Sequence, residues 1–219
     1  MFHLINKLLH KYYSKKWKTK TVRPLNNEKY RLFQQNGEGL YYINFHGDDD
    51  NKISKAISAF SHGLSHSFIV LYTEDASRYF SKTEMMLIED KYRKYYGTND
   101  NFLNTKIWVL GSADNNGINY LNYSTYQDRK QSIRKVKLVL PLQQFICKWL
   151  VRPQIMNAYY DFVGLFLWGI KVESKKDLFC SELVYKCFDT IGIKVAKHNK
   201  PSPWDIEQCN KDWLVFSNL

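Results

Sequence analysis

The sequence predicts a mixed α+β domain, for three reasons. Short runs rich in β-branched and aromatic residues, typical of strands, lie mainly in the earlier part of the chain. Apolar residues at helical spacing dominate after about residue 143. Strands grouped first and helices later are typical of α+β proteins. With 219 residues and 44% hydrophobic content, the chain is long and apolar enough to bury a full core.

Four elements are predicted in the first part of the chain. "GLYYINFH" (39–46) has the composition of an apolar strand. The turn "GDDDN" then leads into "KISKAISAF" (52–60), whose apolar spacing predicts a short amphipathic helix. "SFIVLY" (67–72) predicts a second strand, and the charged stretch at 76–96 predicts a helix.

The later part of the chain is predicted to hold two strands and then helices. "TKIWVLG" (105–111) predicts a strand that ends at the turn "SADNNG". "RKVKLVLPL" (134–142) alternates basic and apolar residues, which predicts a strand with one face in water. Helices are expected at about 143–150 and 153–166, followed by one that begins at Cys180.

The first residues form a basic arm, so we divide the chain into an arm at 1–25 and a domain at 26–219. Apolar residues within 1–20 recur at helical spacing with lysines between them. This segment lacks the uninterrupted apolar core and small-residue end of a signal peptide. Two readings stay open, a helix docked on its own domain and a helix lying on an anionic membrane.

The charge and the cysteine content limit the binding partners and the cellular compartment that the sequence suggests. The net charge of +11 suggests polyanionic surroundings, but no nucleic-acid-binding motif is present. No apolar run approaches the roughly 20 residues of a membrane-spanning helix. The four cysteines match no zinc-site spacing and are too few for a disulfide framework. We therefore expect reduced thiols in a protein that is cytoplasmic or peripheral at a membrane.

Cys180 is the candidate nucleophile because it opens a helix. The positive end of the helix dipole favours a thiolate there. Cys187 lies inside the apolar stripe of the same helix and is expected to be core. A thiol nucleophile needs a base, and His46, His62 and His66 cluster around the first strands. His66 stands immediately before "SFIVLY", where a strand would hold its side chain rigidly, so it is the preferred base.

Four blocks of the sequence resemble the circularly permuted NlpC-type, papain-like cysteine hydrolases. The stretch from "GLYYINFH" to "SHSFIVLY" (39–72) is similar to the block that presents the base. "YYDFVGLF" (159–166) resembles the segment that precedes the nucleophile helix, and "FCSELVYKCFDTIGI" (179–193) resembles the nucleophile block. "PSPWDIEQC" (201–209) fits the closing Pro-x-Asp element. The blocks span about 39 to 208 in the permuted order.

The resemblance implies a fold and a set of roles. The fold would be a small antiparallel sheet or barrel packed on the nucleophile helix. Cys180 would be the nucleophile, with its backbone amide in the oxyanion hole, and His66 the general base. Tyr160 would support the oxyanion. The residue that orients the histidine departs from the family's usual Glu or His, since the matching strand offers Ser112 or, beyond it, Asp114.

Two residues beside Cys180 are assigned structural roles. We expect Glu182 to cap the helix or to bind neighbouring backbone rather than to take part in catalysis. A similar structural role is expected for Ser181.

The predicted function is attack of a thiolate on an amide or ester carbonyl through an acyl-enzyme, without metal or cofactor. The substrate would be a cell-wall peptide or a lipid acyl group, and residues 1–20 are the expected site of any anionic membrane contact. The alternative is a non-catalytic basic protein on the same scaffold that binds membrane or another polyanion. A metal-dependent hydrolase built from His62, His66 and the acids at 48–50 lacks a matching ligand spacing.

Overall fold

The computed structural model describes residues 4–5, 7–9, 22–47, 57–59, 61–97, 102–114, 117–161 and 178–219. Within these ranges the chain is a mixed α+β protein built on one antiparallel sheet, which confirms the predicted α+β class.

In the described part of the chain the sheet has six strands, in the order β4-β3-β2-β1-β5-β6. Every pairing between neighbouring strands is antiparallel. The strands are β1 (Gly39–His46), β2 (Leu64–Tyr72), β3 (Ile107–Asp114), β4 (Gly117–Asn122), β5 (Gln131–Lys135) and β6 (Leu214–Ser217).

Six α-helices in the described ranges accompany the sheet. They are α1 (Asn27–Asn36), α2 (Lys82–Tyr96), α3 (Leu140–Leu150), α4 (Pro153–Met156), α5 (Cys180–Asp189) and α6 (Pro203–Glu207). Residues 57–59 and parts of 4–9 are also helical.

One side of the sheet packs against α3, α5 and α6, and we call it the helical face. The ring of Tyr42 on β1 lies 6.0 Å from that of Phe188 on α5. The hydroxyl of Tyr120 on β4 donates to the carbonyl of Leu150 at the end of α3, at 2.7 Å. Because side chains alternate along a strand, Asn44 lies on the same face as Tyr42.

The opposite side, the aromatic face, is covered by α1 and by the chain after β4. Phe33 of α1 packs edge-on against Tyr41, with 4.9 Å between ring centroids. Farther along, Phe68 on β2 packs against Phe45 at 5.2 Å and Tyr126 at 5.0 Å. Both faces are therefore buried, and the two strands at the centre carry almost no exposed side chains.

The predicted strand at 134–142 is wrong over most of its length. β5 ends at Lys135, and α3 begins at Leu140 with Pro141 in its first turn. The basic residue expected on a wet face, Arg134, is instead buried with 2% of its surface exposed. It is neutralised by an ion pair with Glu207, a partner that local alternation does not reveal.

Two other predicted helices have different bounds. The stretch 76–96 is a 3₁₀ turn followed by α2, which begins at Lys82 behind a capping box formed by Ser81 and Glu84. Of the helix predicted at 153–166, residues 153–156 form α4, 157–161 are not helical, and 162–166 lie outside the described residues. Of the helix predicted at 52–60, only 57–59 are described, and these are helical.

Candidate active site

Cys180 is the first residue of α5, as its position in the sequence predicted. The residue before it, Phe179, is the N-cap and has no polar side chain to bind the first-turn amides. The positive end of the helix dipole therefore acts on the thiol. Only 2% of Cys180 is exposed, so the thiol is buried among the side chains and strands around it.

The thiol of Cys180 is held against β2. Its Sγ lies 3.9 Å from the carbonyl oxygen of Ser65, a weak S–H···O contact between residues 115 positions apart. Ser65 immediately precedes His66. The fold therefore brings the opening residue of α5 to the strand segment that carries the predicted base.

His66 is half-buried on β2, and its ring stacks on Phe68 at 5.6 Å with 29° between the planes. Side chains two residues apart on a strand share a face, so this places the imidazole on the aromatic face. Ser67 points the other way and donates to Oδ1 of Asn44 at 2.6 Å on the helical face. The nucleophile helix thus packs on the helical face, whereas His66 extends its ring toward the aromatic one.

A second histidine, His62, contacts α6. The ring of His62 is 4.5 Å from that of Trp204 on α6, and its backbone has a positive φ of 49°. The segment leading into α6 also contacts the start of α5, because Ser181 donates to the carbonyl of Pro201 at 2.6 Å. His62 is therefore a competing base that sequence reasoning placed behind His66. The only sequence feature that could have pointed to His62 is Trp204 in the closing "PSPWDIE" block, and no local pattern connects the two residues.

His46 ends β1 and is exposed. A Cβ on Gly63 would come within 2.6 Å of its Nε2, so the imidazole covers this glycine closely. The strand pairing also slips at this point, between Phe45 and His46. All three histidines therefore belong to one turn region, where the chain leaves β1 and enters β2.

Ser112, the predicted histidine-orienting residue, is fully buried on β3. It pairs with Asn119 just past a β-bulge, and its hydroxyl has no hydrogen-bond partner among the described residues. Alternation from Tyr120, which points to the helical face, puts Asn119 and Ser112 on the aromatic face, the face of His66. The side chain of Asp114 lies outside the described part of the structure.

The bulge beside Ser112 depends on Gly111. Its φ is +66°, and a Cβ there would meet Cδ2 of Leu150 and Cδ2 of Leu183 at 3.1 Å each. A glycine at this position therefore lets α3 and α5 pack closely on β3.

Tyr160 is almost fully buried and forms an isolated parallel bridge with Leu178. The amide of Leu178 donates to the carbonyl of Tyr159 at 3.0 Å, and the amide of Asp161 donates back to Leu178 at 3.2 Å. This bridge fixes Tyr160 beside the chain two residues before Cys180. The rest of the matching block, at 162–166, lies outside the described residues.

The structure assigns Glu182 an ion pair rather than a capping contact. Its Oε1 lies 2.7 Å from Nζ of Lys186, one turn on, and its carboxyl is buried. Burial raises the pKa of the Glu182 carboxyl above its ordinary value. The positive charge of Lys186 lowers this pKa, and the negative charge of Asp161 raises it further. Glu182 therefore lies in the first turn of α5 as a partly neutralised group.

The other three cysteines lack the features of Cys180. Cys147 and Cys187 are completely buried, and burial raises the pKa of both thiols. Burial also raises the pKa of the half-buried Cys209. The assignment of Cys187 to core packing agrees with its position.

Among the described residues, no group of three or more His, Cys, Asp and Glu side chains could hold a metal ion. The acids at 48–50 lie outside those residues, so the metal reading stays untested. None of the helices in the described part has the length and apolar character required to cross a bilayer.

Comparisons of the chain with protein-family models, with curated proteins and with solved structures gave no match. The resemblance to the permuted papain-like hydrolases therefore rests on the sequence blocks, and catalysis is a proposal.

Proposed function

We propose that this chain is a cysteine hydrolase or acyltransferase on a circularly permuted papain-like scaffold, with Cys180 as its nucleophile. The supporting observation is the position of that thiol at the first turn of α5, 3.9 Å from the Ser65 carbonyl and next to the strand that bears His66. A thiol at the N-terminal end of a helix is stabilised as a thiolate, and the thiolate is the reactive form. Cys147 and Cys187 lie in the interiors of α3 and α5 rather than at a helix N-terminus, which supports a special role for Cys180.

The chemistry follows from these groups. The Cys180 thiolate attacks the carbonyl carbon of an amide or ester, and the carbonyl oxygen becomes an oxyanion. The Cys180 amide at the helix terminus, assisted by the Tyr160 hydroxyl, stabilises that oxyanion. A histidine that took the thiol proton gives it to the leaving group, which leaves an acyl thioester on Sγ. Water or a second acceptor then releases the acyl group.

Two histidines compete for the role of base. His66 is the base that the resemblance implies, and Ser112 on the same face of the sheet would orient it. His62 is favoured by its contact with Trp204. Pro201, three residues before Trp204, accepts a hydrogen bond from Ser181, the residue after the nucleophile. The two assignments make different predictions for single substitutions.

Mass spectrometry of the intact protein tests the acyl-enzyme directly. After incubation with an activated acyl ester, or separately with an activated peptide amide, Cys180 should carry an acyl group that hydroxylamine removes. Cys180→Ser should abolish the thioester, whereas Cys209→Ser, the matched control at a half-buried thiol, should retain it. Preference for one probe indicates the substrate class, a lipid-like acyl group or a peptide amide. Equal acylation of Cys180 and Cys209, or none with either probe, would contradict the proposal.

A second candidate is a non-catalytic protein that binds anionic membrane through its arm. It is favoured by the orientation of His66 toward the aromatic face and by the exposed apolar side chains of the arm. Leu4, Ile5 and Leu8 are exposed beside Lys7, while Leu9 packs against the core. Binding to anionic vesicles that Leu4→Ser/Leu8→Ser abolishes, with no acyl-enzyme at Cys180, would favour this candidate.

A further inference from the structure

Helix α3 is apolar on both of its sides. Its inner side contributes Ile146, Cys147 and Leu150 to the core. Its outer side carries Leu142 and Phe145, which remain 38% and 40% exposed. A surface helix of a globular protein normally presents polar residues outward. The outer side of α3 therefore has the composition of a surface that binds a partner or a membrane.

The outer residues form a continuous stripe, in which Leu142 and Phe145 are exposed and Trp149 is half-buried against the core. Leu142, Phe145 and Trp149 follow the three- and four-residue spacing that aligns side chains along one side of a helix. Val139, the N-cap residue, extends the stripe and is 66% exposed. The helix has 11 residues, or about 16 Å, which is too short to span a bilayer but long enough to lie along its surface.

Basic residues border the stripe at its end. Lys148 and Arg152 are both exposed, and the guanidinium of Arg152 lies 5.8 Å from the centroid of the Phe145 ring. The wider segment 129–160 contains no Asp or Glu. Its basic residues are Arg129, Lys130, Arg134, Lys135, Lys137, Lys148 and Arg152. Arg134 is paired with Glu207 and Lys137 with Asp212, so the positive charge that borders the stripe comes from Lys148 and Arg152, and the complementary partner is anionic.

We propose that this surface, the α3 face (Val139, Leu142, Phe145, Lys148, Trp149 and Arg152), docks on an anionic lipid surface. An apolar stripe with aromatic rings and flanking Lys and Arg is the arrangement that binds at the boundary between headgroups and acyl chains. A second copy of the chain would bring two basic surfaces together, which opposes self-association through this face. The proposal depends on neither Cys180 nor the arm.

Co-sedimentation of the full chain with vesicles tests the proposal. We expect binding to phosphatidylcholine vesicles that contain phosphatidylglycerol, and weaker binding to phosphatidylcholine alone. Leu142→Ser/Phe145→Ser should lower the partition coefficient about tenfold or more, because two apolar side chains no longer enter the lipid. The matched control is Met86→Ser/Leu87→Ser on α2, where two apolar side chains are equally or more exposed. This control should bind as the unmodified protein does.

The charge contribution has its own pair of variants. Lys148→Gln/Arg152→Gln should weaken binding to the anionic vesicles by roughly fivefold per residue and leave binding to phosphatidylcholine unchanged. Arg31→Gln/Lys82→Gln removes two exposed charges elsewhere and should have a smaller effect.

Val139→Asp separates docking from folding. Val139 is the N-cap of α3 and makes no side-chain capping bond, so an aspartate there should stabilise the helix. The same carboxylate should repel the anionic surface. Reduced vesicle binding with an unchanged or raised melting temperature therefore supports the proposal.

Three results would overturn it. The first is equal vesicle binding by the α3-face variants and their controls. The second is loss of all binding in Leu4→Ser/Leu8→Ser with no effect of the α3-face variants. The third is a change in molar mass by light scattering in the α3-face variants, with vesicle binding unaltered, which would assign the face to a second copy of the chain.

Discussion

Arg134 and Glu207 form a buried, two-pronged ion pair that ties β5 to the end of α6. Nη1 of Arg134 lies 2.7 Å from Oε2 of Glu207, and Nη2 lies 2.7 Å from Oε1. Asn44 donates to the same carboxylate at 2.6 Å, and Ser132 also donates to it. Because α6 carries Trp204, which contacts His62, this network fixes the position of one side of the candidate site.

Removing the Glu207 carboxylate should strongly destabilise the fold. Glu207→Ala leaves the buried Arg134 guanidinium without its counter-charge, which typically costs about 3–5 kcal/mol. Urea denaturation followed by circular dichroism measures the loss. The control is Asp128→Ala, which removes the partner of Arg23 from an exposed ion pair of 3.2 Å and should cost less than about 1 kcal/mol. Equal losses would contradict the burial of the Arg134–Glu207 pair.

Gly111→Ala should destabilise the protein through both backbone and packing. The positive φ disfavours a Cβ, and that Cβ would crowd Leu150 and Leu183 at 3.1 Å. The expected loss is about 2–4 kcal/mol in the free energy of unfolding.

Gly192→Ala is the matched control for Gly111. Its φ is +77°, but a Cβ there would meet nothing within 4 Å, so only the backbone cost of about 1–2 kcal/mol applies. If both alanine variants unfold at the same denaturant concentration, the close packing of α3 and α5 on the bulge is incorrect.

Glu182 should make stability depend on pH in a defined direction. Burial raises the pKa of its carboxyl in the folded state, so the folded protein holds the proton more tightly than the unfolded chain does. The resulting stabilisation is complete below about pH 4.3, the ordinary glutamate value, and is lost as pH rises through the raised pKa.

Glu182→Gln removes that titration. Its free energy of unfolding should therefore change less with pH over the same interval than that of the unmodified protein. Glu89→Gln, which removes another i,i+4 pair on α2, is the control for the loss of an ion pair from a helix. A Glu182→Gln profile parallel to that of the unmodified protein would show that this carboxyl does not titrate differently on folding.

The sequence predicted the elements whose signals are local. β1 is predicted at its observed bounds because five of its eight residues are aliphatic or aromatic and a turn follows. The start of α5 at Cys180 was also correct. By contrast, no helix is predicted from the sequence over α1, which buries only Phe33, although the Asn26 cap and the Gly37 end are helix signals.

Long-range contacts account for the remaining differences. β4 and the short strand β6 carry weak patterns and depend on their neighbours in the sheet. Arg134 looked solvent-exposed because its partner lies 73 residues away. The contact of Cys180 with Ser65 and that of His62 with Trp204 arise from packing between distant segments, so the preference for His66 over His62 rests on its place before a strand and not on these contacts.

The central claim, that Cys180 is an activated nucleophile, is tested most directly by its alkylation rate as a function of pH. Iodoacetamide labelling with peptide-level mass spectrometry should give an apparent pKa for Cys180 below about 8.5, the ordinary cysteine value. His66→Ala or His62→Ala, whichever removes the base, should restore ordinary behaviour, while Cys147 and Cys187 stay unlabelled. Alkylation of Cys180 only above that pH, unchanged in both histidine variants, would contradict the account.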